Sequence, residues 1–139
     1  MAWVRNNEQQ NFEQGTSNAM NKNKHDLQNR LLDFSVSILT IVEKLPKNYA
    51  GIHFAKQLVR CGTAPAFHHS EAQSAESRRD FIHKMKIGVK ELRETFMNLK
   101  IIYKKPLLKN ELVKMTIIEC NELISIFVKS IQTAKKNSD

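Results

Sequence analysis

The sequence predicts an all-α protein, an up-and-down antiparallel four-helix bundle with a kink in its second helix. Four segments repeat apolar residues in alternating steps of four and three, which is the spacing of a helix that buries one face. Four Gly and three Pro in 139 residues leave little material for the turns of an all-β fold. A chain of this length holds one hydrophobic core, so the four helices should form one domain.

The first helix follows a polar N-terminal segment. Residues 1–29 are crowded with Asn and Gln around few large hydrophobic side chains, so we predict a disordered extension there and place the bundle domain at residues 30–135. The apolar stripe of helix one runs from Leu27 to Leu45. It ends before Pro46, because the residue before a proline is pushed out of the helical conformation. The short polar turn that follows favours an antiparallel neighbour.

The second helix contains a proline and several small residues, and the small residues would let a neighbouring helix approach closely. Pro65 removes a backbone hydrogen bond and crowds the carbonyl of Cys61. Because the apolar pattern continues across this proline, we predict one helix that is kinked between these two residues. The predicted core positions are Phe54, Leu58, Cys61, Pro65, His68, Ala72 and Ala75.

The third helix has the clearest pattern on both of its faces. Ser77 with Asp80 predicts its N-cap, and Pro106 marks its end. The predicted core stripe is Phe81, Met85, Gly88, Leu92, Thr95, Leu99 and Ile102. Four cations recur every seven residues, almost two turns, and therefore form a column of about 30 Å on the polar face. The column is Arg79, Lys86, Arg93 and Lys100, with Lys90 and Lys104 beside it.

The fourth helix has more apolar surface than one bundle core needs. One stripe consists of Val113, Ile117, Cys120, Ile124, Phe127 and Ile131. A second stripe, the α4 seam, consists of Leu108, Leu112, Met115, Leu123 and Ile126. Either the helix lies unusually deep in the fold or the α4 seam is a subunit interface. In so small a bundle we favour the interface.

The charge balance favours polyanionic partners. The chain has 22 Lys and Arg against 14 Asp and Glu, a formal net charge of +8. Residues 1–29 carry three charges of each sign, so the whole excess belongs to the remainder of the chain. A basic folded body, as opposed to a basic tail, is typical of proteins that bind nucleic acid.

The basic column has a simpler explanation, a solvated helix face, and we weigh the two. Acids that could neutralise the column within the helix are few: Asp80 precedes Lys84 in the favourable order, whereas Lys90 precedes Glu94 in the weaker one. We therefore predict binding to structured RNA or DNA, largely without sequence specificity because exposed aromatic residues are scarce. The alternative is an interaction scaffold whose basic face docks an acidic protein surface.

The residues with catalytic or metal-binding chemistry do not form a recognisable site. Cys61 and Cys120 lie on apolar stripes without CxxC spacing, which is typical of small hydrophobic side chains. His68 and His69 point about 100° apart on a helix, so they do not converge on one metal ion with Glu71. Glu91 and Glu94 are predicted to be surface acids or partners of bases on helices one and two.

These patterns predict a non-enzymatic protein without cofactor or metal. The N-terminal residues have no apolar leader, and no apolar run approaches the length of a membrane span. A reducing cytoplasm without membrane attachment fits best.

A stretch across helices two and three resembles a known family. Residues 58–96 resemble the four-helix bundle family that includes the 23S ribosomal RNA intervening-sequence proteins, and the similarity extends over about residues 30–132. The residues that stand at the corresponding places are Arg60-Cys61, Glu71-Ala72, Ser77, Asp80-Phe81, Ile87-Gly88, Glu91 and Glu94. The chain departs from the family pattern at Cys61, His68 and Gly88, where the family usually has Ser, Asn and Ala.

The resemblance implies an up-and-down bundle that assembles as a ring-shaped homo-oligomer, a pentamer, with no established enzymatic activity. The chain is also similar to accessory variability determinants of diversity-generating retroelements, basic bundles that partner a reverse transcriptase and nucleic acid. The scaffold alternative would then be an accessory subunit of such an enzyme.

Overall fold

The computed structural model describes residues 26–137, which form four α-helices and no strand. They are α1 Leu27–Lys44, α2 Tyr49–Gln73, α3 Arg78–Lys104 and α4 Glu111–Lys136. Their connections are short, as expected for antiparallel neighbours. The helices pack in a cycle, α1 on α2, α2 on α3, α3 on α4 and α4 on α1. The expected all-α four-helix fold is confirmed.

The start of α1 differs slightly from the predicted domain boundary. The helix begins at Leu27, three residues before the predicted start of the domain, because Asp26 caps it. The remainder of the expected disordered extension, residues 1–25, lies outside the described residues.

Each helix starts at a side chain that accepts a hydrogen bond from a backbone N–H three residues further on. Such caps satisfy N–H groups that have no partner within the helix. Ser77, the predicted cap of α3, accepts from the N–H of Asp80 at 3.0 Å. The other caps are Asp26, Asn48 and Asn110, whose donors are the N–H groups of Asn29, Gly51 and Val113.

The core follows the predicted stripes most closely on α1 and α3. All seven predicted positions of α3, from Phe81 to Ile102, are buried. On α1 the positions from Leu31 onward are buried, and Leu27 lies at the edge of the core.

On α2 and α4 the core uses partly different residues. α2 is one helix through Pro65, as predicted, while the expected kink stays a prediction. Its buried histidine is His69 and not the predicted His68. His69 lies four residues after the buried Pro65 and therefore on the same, core-facing side of the helix. On α4, Thr116 and Leu123 occupy core positions, and the predicted Ile117 and Ile124 are only partly buried beside them.

Two glycines allow close contact between helices. A Cβ atom placed on Gly62 of α2 would lie 2.7 Å from Cγ2 of Ile38 on α1. A Cβ atom placed on Gly88 of α3 would lie 2.5 Å from the ring of Phe127 on α4. Real Cβ atoms do not approach other heavy atoms so closely, so each glycine makes room for a large side chain of its neighbour. The expected role of the small residues on α2 is thus met at Gly62.

His69 is the main buried polar group of the core and its hydrogen bonds suit only the neutral ring. Its Nδ1 lies 2.7 Å from Oε1 of Gln28, an acceptor, and its Nε2 lies 3.0 Å from Nε2 of Gln73, a donor. This places the ring proton on Nδ1 and leaves Nε2 as an acceptor. Burial lowers the pKa of His69 to about 4, and the nearby Asp26 offsets this only in part.

The contact between Gly62 and Ile38 predicts a coupled pair of substitutions. Gly62→Ala should lower the free energy of unfolding by about 1–3 kcal/mol, because the added methyl group overpacks the core. In the Ile38→Ala background the same change should cost much less, since the side chain that it would meet is gone. Urea denaturation of the four proteins of this cycle measures the coupling. Additive effects would show that the two helices are free to move apart.

The hydrogen bonds of His69 predict a loss of stability in mild acid. The unfolded chain binds a proton at this histidine near pH 6.5, whereas the folded chain does so only near pH 4. The contribution of the neutral ring is therefore fully present above pH 6.5 and is lost between pH 6.5 and 4, by about 3 kcal/mol at 1.36 kcal/mol per unit.

The control is His69→Gln, which removes the titrating group but keeps a polar side chain. The difference in urea midpoint between this variant and the wild type should shrink or reverse as the pH falls from 7 to 4. A constant difference over that range would contradict the assignment of a neutral, buried ring.

Candidate nucleic-acid interface

The six predicted cationic residues all lie on the solvent-exposed side of α3, which we call the α3 ridge. The ridge consists of Arg79, Lys86, Lys90, Arg93, Lys100 and Lys104. They are exposed because the opposite side of the helix, from Phe81 to Ile102, is buried between α2 and α4. The other exposed positions of α3 are His83, Met97 and Ile101. The exposed side of α3 therefore contains no acidic residue.

The three acids of α3 are turned to its flanks. Asp80 lies in the first turn, where its carboxylate accepts from the backbone N–H of Glu76 and from Nζ of Lys84, both at 3.3 Å. The hydrogen bond from the backbone of Glu76 is the largest cause that lowers the pKa of Asp80, and the hydrogen bond from Lys84 lowers it further. Glu91 and Glu94 are partly buried on the side that faces α2. None of the three interrupts the α3 ridge.

Arg60 of α2 binds both of the remaining acids. Its Nη1 lies 3.2 Å from Oε2 of Glu91, and its Nη2 contacts Oε1 of Glu94. The same Nη2 lies 3.3 Å from the side-chain oxygen of Gln57. The hydrogen bond with Glu94 is the main cause that raises the pKa of Arg60. The prediction that Glu91 and Glu94 partner a base of a neighbouring helix is confirmed.

The ridge cations themselves make few contacts. None of the six forms an ion pair with any of residues 26–137. Nζ of Lys100 lies 5.1 Å from the centre of the Phe96 ring, a contact between cation and aromatic face that still leaves the ammonium group open to solvent. Five cations with no such contact and one over a ring are available to an external anion.

A shallow groove runs between α3 and α4 beside the ridge. It is lined by Lys86, Val89, Val128, Ile131, Gln132 and Lys135. The lining is largely apolar with basic groups at its rim, and it has no carboxylate, thiol or histidine that could act on a substrate. The groove thus places apolar surface beside the ridge without adding a reactive group.

The α4 seam is divided between core and surface. Leu123 is fully buried in the bundle, so it belongs to the core and has no side-chain surface left for another subunit. Leu108 lies in the loop before α4, and it and Leu112 pack partly against the core. Ile126 is half-buried, and Met115 is 59% exposed. The second apolar stripe therefore serves the core in part, which was the other explanation for it.

Large apolar side chains are exposed mainly on α1 and α2. Seven of the eleven exposed large hydrophobic residues within residues 26–137 belong to α1 and α2. They are Leu32, Val36, Leu39, Tyr49, Ile52, Val59 and Phe67. The contacts of Ile38 with Gly62 and of Gln28 with His69 hold the two helices side by side. This α1/α2 face was not recognised in the sequence, because its residues lie between the core positions.

A second ion-pair cluster joins α1 to α4. Arg30 donates from Nε to Glu119 at 3.1 Å and from Nη2 to Glu119 and, at 3.0 Å, to Glu122. The hydrogen bond with Glu119 is the largest cause that raises the pKa of Arg30. The cluster neutralises acids of α4 at the bundle edge away from the α3 ridge, and sequence spacing alone gives no signal for such pairing across 89 residues.

Both cysteines are buried in the bundle. Burial raises the pKa of Cys61, and that of Cys120 to about 12, so both thiols are held protonated. The Cys120 thiol lies 3.2 Å from the backbone oxygen of Leu92. Nδ1 of His68 lies 4.0 Å from Oε2 of Glu71, which is too far for a hydrogen bond. Within the described part of the chain, no group of three or more His, Cys, Asp or Glu side chains could hold a metal ion.

No helix within residues 26–137 is long and apolar enough to cross a membrane.

Comparison with solved structures gives a close match in fold. A crystal structure of a protein of unknown function from the S23 ribosomal protein family of Bacteroides thetaiotaomicron superimposes with a TM-score of 0.69 at 26% sequence identity. The match covers 76% of this chain and 97% of that one. None of the curated proteins compared matches the chain.

Comparison with family models places most of the chain in one family. The model described as 23S rRNA-intervening sequence protein matches residues 23–129, which include α1, α2, α3 and most of α4. The matched range contains both the α3 ridge and the Arg60 pair with Glu91 and Glu94. The resemblance noted over about residues 30–132 is thus confirmed, and the chain belongs to the 23S rRNA-intervening sequence protein family.

Proposed function

We propose that this protein is a non-enzymatic, basic bundle that binds structured RNA or DNA through the α3 ridge, largely without sequence specificity. The observation that carries the proposal is the composition of the exposed side of α3: six cations and no acid over the length of a 27-residue helix. A straight helix of this length extends about 40 Å, so the ridge matches several successive phosphates of a duplex and not a single small anion.

Phosphate contacts through flexible cations position a protein on nucleic acid but do not read its sequence. The exposed side of α3 has no Phe, Tyr or Trp, and His83 is its one aromatic ring, so unpaired bases would find little surface on which to stack. Affinity should therefore come from the release of counterions and should depend steeply on salt.

We also propose that the protein forms a homo-oligomer, a ring in which each subunit presents its own ridge. Repeated ridges on one assembly would strengthen binding to a long polyanion through effective concentration. The exposed apolar side chains of α1 and α2 support a contact between subunits. Large exposed apolar patches on a protein surface commonly mark interaction sites. The exposed Met115 leaves the surface part of the α4 seam as a second candidate for the contact between subunits.

An interaction scaffold is the second candidate, favoured by the same α3 ridge, whose exposed cations form no ion pair with residues 26–137. A protein partner with an acidic surface, such as the enzyme of a reverse-transcriptase cassette, would use the α3 ridge in place of nucleic acid. The binding experiment below separates the two functions.

The first test reverses the charge of the ridge. A quadruple variant with Glu in place of Arg79, Lys86, Arg93 and Lys100 should lose binding to duplex RNA, and the slope of log affinity against log salt should fall by about four units. Filter binding of the wild type and the variant at several salt concentrations measures both quantities. Single changes such as Arg93→Glu should weaken binding to all sequences alike.

The matched control carries the same total change in charge on other helices. It replaces Lys44, Lys56, Lys114 and Lys129 by Glu, all of which are exposed and belong to helices other than α3. If this control loses as much affinity as the ridge variant, net charge and not the α3 ridge determines binding. If the wild type binds no nucleic acid at low salt, the scaffold function takes its place. Circular dichroism verifies that each variant is folded.

The second test concerns assembly. Light scattering should report a mass several times the 16.1 kDa of one chain. Val36→Glu or Phe67→Glu should lower that mass, because each places a charge in an apolar contact. Met115→Glu tests the α4 seam in the same way, and Leu123→Glu is unsuitable because this residue is buried in the core. A wild-type protein that is monomeric at high concentration would rule out the ring.

A further inference from the structure

We propose that Arg60 is a positioning residue for the α3 ridge: it holds Glu94 on the α2 side of the helix and thereby keeps Lys90 available to phosphate. The inference rests on the proposed binding of nucleic acid by the ridge. It adds a role for a residue of another helix that is not itself part of the ridge.

The geometry of the Arg60 side chain supports this role. Its two terminal nitrogens hold different carboxylates, Nη1 that of Glu91 and Nη2 that of Glu94. The Arg60 side chain is 54% exposed, and those of Glu91 and Glu94 are 16% and 37% exposed. Exposed ion pairs contribute little to folding stability because water screens them. The ion pairs of Arg60 are therefore better explained by their effect on the neighbouring cations of the α3 ridge than by a contribution to stability.

Glu94 has an alternative partner on its own helix. Lys90 precedes it by four residues, and side chains four apart on a helix are neighbours, with Cβ atoms about 5–6 Å apart. In the structure Lys90 makes no ion pair with residues 26–137, because the carboxylate of Glu94 is turned toward Arg60. If Arg60 were absent, Glu94 would be free to pair with Lys90, and the ridge would lose a cation near its centre.

Glu91 provides an internal comparison, because it has no such alternative. The residues three and four positions away from it on α3 include no cation. They are Ile87, Gly88, Glu94 and Thr95. Release of Glu91 would add a negative charge near the ridge but would not occupy any of its lysines. The two carboxylates held by one arginine thus differ in what their release would do.

The decisive experiment measures binding of the full chain to a double-stranded RNA of fixed length at several salt concentrations. Arg60→Ala should weaken binding several-fold and lower the salt slope by about one unit, the effect of one lost phosphate contact. The control Lys56→Ala removes one positive charge from an exposed position of the same helix and should have a smaller effect on both quantities.

The second substitution distinguishes positioning from net charge. Glu94→Gln should restore the affinity and the salt slope of Arg60→Ala, whereas Glu91→Gln should restore much less. In the wild-type background Glu94→Gln should have little effect, since Arg60 already holds this carboxylate. Equal rescue by the two Gln variants, or an effect of Glu94→Gln that is the same in both backgrounds, would overturn the proposal.

A readout without nucleic acid separates this proposal from the proposed function. An ammonium group paired with a carboxylate is less reactive, so acetylation of Lys90, followed by mass spectrometry, should slow in Arg60→Ala and recover in the double variant with Glu94→Gln. Unchanged acetylation of Lys90 would overturn the role of Arg60 even if the ridge binds RNA. The expected acetylation together with no RNA binding by the wild type would retain the charge arrangement and reject the proposed function.

Discussion

The burial of one side of α3 is the constraint on which the rest of the molecule depends. Seven residues of α3, spaced three or four apart from Phe81 to Ile102, are buried, and α2 and α4 both pack against this helix. A helix that buries one stripe must expose the opposite one, because the two are separated by half a turn. The α3 ridge is therefore a consequence of core formation, and its cations are aligned by the same periodicity that aligns the core.

Close packing in the core determines how near the neighbouring helices come. Gly62 accommodates Ile38, and Gly88 accommodates the ring of Phe127, so α1 approaches α2 and α4 approaches α3 at these points. In both cases a glycine, which has no side chain, lies against a large side chain of the neighbouring helix. At Gly88 the space that the missing side chain leaves is taken by the aromatic ring of Phe127.

Ion pairs between helices arrange the remaining charges. Arg60 holds Glu91 and Glu94 on the α2 side of α3, and Arg30 joins α1 to Glu119 and Glu122 of α4. In both cases the arginine of one helix binds the carboxylates of two acids on another helix and holds them toward its own helix. Arginine suits this task because its planar group carries several donors that can bind two carboxylates at once. Glu91 and Glu94 are thereby held away from the cations of the α3 ridge, although they lie among these cations in the sequence.

Periodicity by itself determined the helices, the α3 core stripe and the α3 ridge, because all of these depend on spacing within one helix. Tertiary structure decided the rest. It selected His69 over His68, and it placed Leu123 in the core, since neighbouring positions on a broad apolar face differ only in which adjacent helix they meet. It also brought Arg60 to Glu94 across 34 residues. Contacts between helices depend on how the helices are rotated and aligned in the bundle, and no spacing within one helix records that.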